Sequence, residues 1–156
     1  MFIQVMQGKC SRQDEMRALS EEWAEQNGPG AVGWLGGTYG FTDDDTFFGV
    51  VRFTDRESAM ANSARPETSA FAERMGALFD GPVEFHDCDD VTLLFNGGSD
   101  DAGFVQVVRG RIDDPDALES GMRKMEMPDD VRQAMESAMH DVSYLDLREP
   151  WFTSKA

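Results

Sequence analysis

Hydrophobic residues recur with two different spacings in the first 86 residues, and the spacing separates strands from helices. Apolar residues that alternate with polar ones predict half-buried strands, whereas Met16, Leu19 and Trp23 recur at the spacing of one helix face. A polar segment at positions 42–46 separates two strand-like runs and predicts a β-hairpin. The predicted order is a strand at 1–6, a helix through Trp23, strands at 32–41 and 47–53, a helix from Thr54 to Phe79 that is interrupted near Pro66, and a strand at 83–86.

This β-α-β-β-α-β order is typical of a ferredoxin-like unit, in which an antiparallel sheet carries both helices on one side. The expected strand order across such a sheet is 4-1-3-2, with the hairpin at one edge. The fold class predicted from the pattern is therefore α+β.

The first strand has a second copy further along the chain. Residues 2–8 match residues 104–110 at an offset of 102, and a helix start at Asp114 follows the second copy. The end of the unit also recurs, but residues 142–146 match residues 83–87 at an offset of only 59. About forty residues are therefore missing from the second copy, in the part that corresponds to the β-hairpin. We predict tandem ferredoxin-like repeats, the second of which lacks the β-hairpin formed by the second and third strands of the unit.

The domain boundaries follow from these repeats. We expect a complete unit at 1–96, a linker of glycines and aspartates at 97–103, and a shortened β-α-α-β copy at 104–156. The chain has 156 residues, 40% of them hydrophobic, so it can bury a substantial core and lies outside the disordered class.

Acidic residues strongly outnumber basic ones. The chain has 30 Asp and Glu against 14 Lys and Arg, a net charge of −16. Such a surface repels phosphate backbones and anionic lipid headgroups, so we expect no nucleic acid partner and no membrane partner. The start of the chain lacks the features of a signal peptide, and we expect a soluble cytoplasmic protein.

Strand alternation predicts which side chains face a central cavity. Ile3 and Val5 suit the face covered by helices, which would turn Gln4 toward the opposite face, where a second sheet would pack. The same parity turns Gln106 of the second copy toward that cavity. Both glutamines are therefore candidate ligand-binding residues.

Other candidate residues come from the last strands of the first unit. Glu84 and His86 face the same cavity in this scheme, and Arg52 joins them if its strand keeps the same parity. His86 could act as a general base, with Glu84 orienting the substrate. Trp34 stands among glycines and either lines the cavity or packs against the sheet. An alternative interpretation is that these residues form a structural polar layer between two sheets.

We predict neither a metal site nor a cofactor. The segment 86–90 contains several potential metal ligands, but consecutive residues of an extended chain point in opposite directions. The glycines of segment 33–37 lack the following Lys-Ser or Lys-Thr of a phosphate-binding loop.

Several stretches of the chain are similar to those of a known protein family. They are Met1–Val5, Gly33–Thr38, Asn62–Glu67, Phe85–Cys88, Gly98–Gln106 and Tyr144–Trp151. The chain resembles a family of uncharacterised actinobacterial proteins related to the dimeric α/β-barrel superfamily, which includes the antibiotic-biosynthesis-monooxygenase-like domains. The resemblance implies two ferredoxin-like sheets that face each other around a cavity, and it implies no established reaction. Family members carry a complete second repeat, and this sequence departs from them between Lys124 and Met127.

Two functional hypotheses follow. The leading one is binding of a small, mostly apolar organic molecule between the two sheets, with cofactor-independent monooxygenase-like chemistry. The alternative is a non-enzymatic assembly or regulatory module that forms a homodimer through the sheet edge left open by the missing hairpin.

Overall fold

Six antiparallel strands form one curved sheet in the computed structural model, which describes residues 1–94, 98–123, 133 and 135–154. The elements are β1 (Phe2–Lys9), α1 (Gln13–Gln26), a 3-10 turn (Gly28–Gly30), β2 (Trp34–Phe41), β3 (Thr46–Phe53), α2 (Arg56–Ser63), α3 (Pro66–Gly76), β4 (Glu84–Cys88), β5 (Val105–Ile112), α4 (Pro115–Met122) and β6 (Met139–Ser154). Across the sheet the strand order is β4-β1-β3-β2-β6-β5. The first four strands confirm the predicted 4-1-3-2 order.

Local sequence signals explain where the helices of the first unit begin and end. Met16, Leu19 and Trp23 are buried on one face of α1, as predicted. The Asp55 side chain caps α2 by accepting a hydrogen bond from the Ser58 backbone N–H, at 2.7 Å. Pro66 then starts α3, because proline suits the first turn of a helix and cannot continue the preceding one.

The last strand is much longer than the pattern predicts. Residues 142–146 were the predicted strand, but β6 runs for 16 residues from Met139 to Ser154. Its first half pairs with β5 and its second half pairs with β2. Without β6, the backbone groups along one side of β2 would be left without strand partners, so this pairing protects an otherwise open edge.

Two separate sheets do not form among the described residues, since β5 and β6 extend the sheet of the first unit through the pairing of β6 with β2. The tandem repeat and the unit boundaries stay predictions. The predicted departure between Lys124 and Met127, and residues 95–97 at the start of the linker, lie outside the described residues.

The predicted parity of β1 is also wrong. Phe2 and Met6 are buried against the helices, whereas Ile3 and Val5 lie half-buried on the opposite face, which we call the open face. Alternation showed which side chains of β1 share a face, but it did not show which face meets the helices, because both faces carry apolar residues. A shift of one position moves every side chain of a strand to the other side of the sheet.

The sheet curls toward its open face. Arg109 of β5 donates a hydrogen bond to the Gln7 side chain of β1 at 3.3 Å, although β3, β2 and β6 lie between these strands. Phe48, which pairs with Gln7, is only 3% exposed on this face. The curl therefore shelters part of the open face from solvent.

Candidate functional site

A cavity of about 330 Å³ lies between the helices and the sheet. Strands β1, β2 and β3 form its floor, β4 contributes Phe85, and α1, α2 and α3 form its walls. Most of the lining is apolar or aromatic, comprising Met6, Trp23, Tyr39, Phe47, Val51, Phe53, Ala59, Phe71, Ala72, Met75 and Phe85. The polar lining residues are Gln4, Ser20, Asn62, Ser63, Thr68 and Ser69. Among the described residues, no charged side chain lines this cavity.

Aromatic packing fixes the wall that α1 contributes. The Trp23 ring contacts Trp34 edge-to-face at a centroid distance of 5.0 Å and Phe71 at 5.9 Å. Trp23 is 6% exposed, and its Nε1–H has no hydrogen-bond partner among the described residues. An indole N–H donates only, so this fully buried donor is left without a partner in the described part of the chain, and Trp23 contributes its ring to the cavity wall.

Two polar groups near the cavity are already engaged by the protein. The Ser20 hydroxyl accepts a hydrogen bond from Trp151 Nε1 at 3.0 Å. The Tyr39 hydroxyl accepts one from Thr153 at 3.4 Å, and burial raises the pKa of Tyr39. Tyr39 is therefore neutral at physiological pH and belongs to the apolar floor.

Asn62 is the most buried of the polar residues that have a hydrogen-bonding group free for a ligand. Its side chain is held near the end of α2, and Asn62 as a whole is 7% exposed. Its Oδ1 accepts hydrogen bonds from Arg65 Nη1 at 3.2 Å and from Thr68 Oγ1 at 3.3 Å. Its Nδ2 donates to no described residue, so the amide N–H groups are available at the cavity wall.

Of the six candidate residues taken from the sequence, Gln4 lines this cavity. It lies on the helix side of β1 rather than on the predicted opposite face, and its Nε2 donates to Asp87 at 3.0 Å. Trp34 is 1% exposed and packs in the core against Trp23, which decides between the two interpretations given for it.

Three candidates lie on the open face instead. Register places Glu84 opposite Gln7 and His86 opposite Val5, so both point away from the helices as predicted. Their charged groups are 3.6 Å apart, and both side chains are substantially exposed. Arg52 shares this face through its pairing with Ile3, and its Nε is buried without a hydrogen-bond partner among the described residues.

Gln106 forms no described hydrogen bond with the other five. It lies on edge strand β5, which three strands separate from β1 in the sheet, and its Nε2 donates to Asp146 at 2.6 Å. The structure therefore does not unite the six candidates in one cluster, and the roles predicted for them stay predictions. In the segment 86–90, Asp87 and Asp89 both form ion pairs with Arg56.

Sequence reasoning missed Asn62, Thr68 and Arg65, and it placed Trp23 on the apolar face of a helix without a role at a site. One signal could have pointed to Asn62. It is an asparagine shortly before the helix break at Pro66, and it lies inside the segment Asn62–Glu67 that carries part of the family resemblance. That segment indicates a family but not a contact, since the contact depends on how α3 folds back beside α2.

Comparison with known proteins shows the fold. No family model matches the sequence, and no curated protein matches it significantly. A proposed monooxygenase from Fusobacterium nucleatum is similar with a TM-score of 0.70 and 10% identity, over 99% of this chain and 94% of that one. A proposed monooxygenase from Lactobacillus acidophilus gives 0.66 and 11%, over 94% and 92%. A proposed antibiotic biosynthesis monooxygenase from Caulobacter crescentus gives 0.52 and 13%, over 58% and 90%.

The extent of these matches is informative about the C-terminal strands. The match that spans 99% of this chain includes β5 and β6, so their arrangement with the first unit also occurs in a solved structure. None of the described helices combines the length and hydropathy that a bilayer crossing needs.

Proposed function

Starting from a fold shared with the antibiotic-biosynthesis-monooxygenase-like proteins, we propose that the chain binds a small, mostly apolar organic molecule in the cavity between its helices and its sheet. The observation that carries this proposal is the lining, which combines aromatic walls with a buried asparagine whose N–H groups are free. A volume of about 330 Å³ lies at the lower end of the range for ligand pockets, which favours a ligand of two or three rings.

The cavity differs in position from the one expected on the sequence. The predicted site lay between two sheets, whereas this one lies under α1, α2 and α3 on the helix side. Its aromatic and apolar walls would shield the enclosed part of a ligand from water, which strengthens any hydrogen bond made there. A polar atom of the ligand would meet Asn62, and its hydrocarbon part would pack against Trp23, Phe71 and Met75.

We propose monooxygenase-like chemistry without a cofactor as the extension of this binding function. In such a reaction O2 is the oxidant and the substrate supplies the electrons. A ring CH2 group becomes a carbonyl, one atom of O2 enters the product, and the other leaves as water. The contribution of this chain would be to hold the substrate oxygen at Asn62 and to keep the reacting carbon dry.

His86 and Glu84 lie on the open face of the sheet, away from the cavity. They could form an acid–base pair on the open face, separated by the thickness of the sheet from the cavity. We therefore assign them no part in binding the cavity ligand.

Blocking the cavity mouth tests the binding function. Ala72 lines the cavity on α3 and is exposed, so Ala72→Phe can fill the mouth without removing a core contact. We expect the affinity for the two-ring hydrocarbon tetralin to fall at least tenfold in this variant, because the ring would occupy apolar space that the ligand needs. Isothermal titration calorimetry measures the change.

The matched control is Ala70→Phe, two positions earlier on the same helix. Ala70 is exposed but does not line the cavity, so its variant has the same added ring and should bind tetralin like the original protein. Equal binding by all three proteins would place the ligand elsewhere and contradict the proposal.

A second candidate function is assembly through a sheet edge, here at β4 rather than at the edge that the missing hairpin is expected to leave open. It is favoured by β4, an edge strand whose five residues are all exposed. Light scattering distinguishes the two: a monomer that binds tetralin supports the binding function alone, and a dimer disrupted by a proline in β4 supports the assembly function.

A further inference from the structure

The break between α2 and α3 places the side chain of Arg65 next to Asn62, the buried polar residue of the cavity wall. Arg65 is the extended residue that immediately precedes α3, and its side chain is 24% exposed. Its Nη1 donates to the Asn62 side chain and to the Asn27 backbone carbonyl, both at 3.2 Å. Its Nε lies 3.8 Å from Glu67. Arg65 itself does not line the cavity.

These contacts determine which way the Asn62 amide faces. A guanidinium group donates hydrogen bonds and accepts none, so the atom facing Arg65 must be the amide oxygen. The Thr68 hydroxyl donates to the same oxygen from α3. The amide nitrogen is on the other branch of the side chain, where it donates to no described residue.

The cavity consequently offers hydrogen-bond donors at Asn62. The Asn62 N–H groups have no partner within the described residues, whereas the Trp23 indole N–H, also unpaired there, is fully buried. No described carboxylate lines the cavity to accept a hydrogen bond from a ligand, although the protein as a whole is strongly acidic. The positive charge of Arg65, hydrogen-bonded to Oδ1, also polarises the Asn62 amide and makes its N–H groups stronger donors.

We propose that Arg65 is a positioning residue that locks the Asn62 amide, and that the cavity consequently selects ligands presenting an acceptor oxygen, such as an aromatic ketone. This inference rests on the proposed binding function and adds the ligand class and the residue that sets it. Without Arg65, the amide can rotate and turn its oxygen toward the cavity, where it opposes a ligand carbonyl.

The loop after α1 is shaped to admit the guanidinium group. A Cβ atom built on Gly30 would lie 2.7 Å from Arg65 Nη2, which is too close for a normal contact. Glycine at this position therefore leaves room for the group that orients Asn62. Gly30→Ala would displace the guanidinium group while changing no residue that lines the cavity.

The experiment compares two probes that differ by one oxygen, 1-tetralone and tetralin. The ratio of their dissociation constants, measured by calorimetry, reports the hydrogen bond at Asn62 and cancels effects on the apolar walls. We expect Arg65→Met to reduce the preference for 1-tetralone about fivefold, the effect of losing one well-oriented hydrogen bond. Arg65→Lys, which restores one donor, should recover part of the preference, and Gly30→Ala should reduce it in a protein that keeps Arg65.

Arg74→Met is the matched control. Arg74 lies on α3 and ties it to α1 through two hydrogen bonds to Glu22 at 2.7 and 2.8 Å, but it forms no described hydrogen bond with Asn62. Its variant should leave the ratio unchanged. If Arg65→Met and Gly30→Ala both bind the two probes with the original ratio, the positioning role is wrong while the binding function stands. If neither probe binds the original protein, the binding function itself is wrong.

Discussion

Trp151→Ala lowers the free energy of unfolding by about 3–5 kcal/mol, the usual range for removing a buried tryptophan. Trp151 is 7% exposed, and its ring lies within 5.5–6.1 Å of Tyr39, Phe41 and Phe47. Its Nε1 also donates to Ser20 of α1. The residue belongs to β6 but completes the core of the first unit, so truncation leaves a large cavity at the centre of that core. Equilibrium urea unfolding followed by circular dichroism measures the change.

The control on the same strand is Tyr144→Ala. Tyr144 is 42% exposed, so its truncation should change the free energy of unfolding by less than about 1 kcal/mol. Similar small effects of both substitutions would mean that β6 contributes little to the core and that the two halves of the chain fold as separate units. A large effect of Trp151→Ala alone would show that residues 1–96 depend on the C-terminal strand.

Asn62→Asp weakens binding of 1-tetralone by about thirtyfold, the second of the largest effects we expect. The aspartate is nearly the same size and can keep the contact with Arg65, now as an ion pair. It has no N–H groups, so it presents a carboxylate oxygen to the ligand carbonyl, and two acceptors without a donor repel each other. Tetralin has no oxygen, so its affinity should change much less.

Ser63→Ala is the control for this substitution. Ser63 also lines the cavity, but it takes no part in the hydrogen bond between Asn62 and Arg65. It should alter the affinity for either probe by less than about threefold. Equal losses of 1-tetralone and tetralin binding in Asn62→Asp would indicate a general distortion of the cavity. That result would contradict the assignment of Asn62 as the donor to the ligand.

The topology of the first unit was accessible from sequence because its signals are local. The stripe of Met16, Leu19 and Trp23, the polar hairpin tip and the Pro66 helix break each act within a few residues. Asp114 likewise caps α4 as expected, accepting a hydrogen bond from the Ala117 backbone at 2.9 Å. Local signals of this kind do not depend on what the element packs against.

The faces of the strands were not accessible in the same way. In β1, Phe2 and Met6 pack against helices, while Ile3 and Val5 meet the sheltered open face of a curled sheet. With both faces partly apolar, alternation does not say which one meets the helices. The same ambiguity placed Gln4 on the wrong side of the sheet and moved the expected cavity with it.

The remaining differences arise from long-range pairing. β6 extends to Ser154 because its second half pairs with the edge of β2. No local pattern around Trp151 in the sequence predicts that pairing. The Asn62 site depends on a helix break that brings Arg65 and Thr68 to one amide oxygen. These features depend on tertiary contacts, which a hydrophobic pattern does not encode.

The central claim is that the ligand site lies between the helices and the sheet, and nuclear Overhauser effects from bound 1-tetralone test it most directly. With labelled methyl groups, we predict contacts from the ligand to Met6, Ala59 and Met75, which line the helix-side cavity. Ile3, Val5 and Val50 carry methyl groups on the open face and should show no contacts to the ligand. Contacts to those three residues, with none to the cavity methyl groups, would contradict the account.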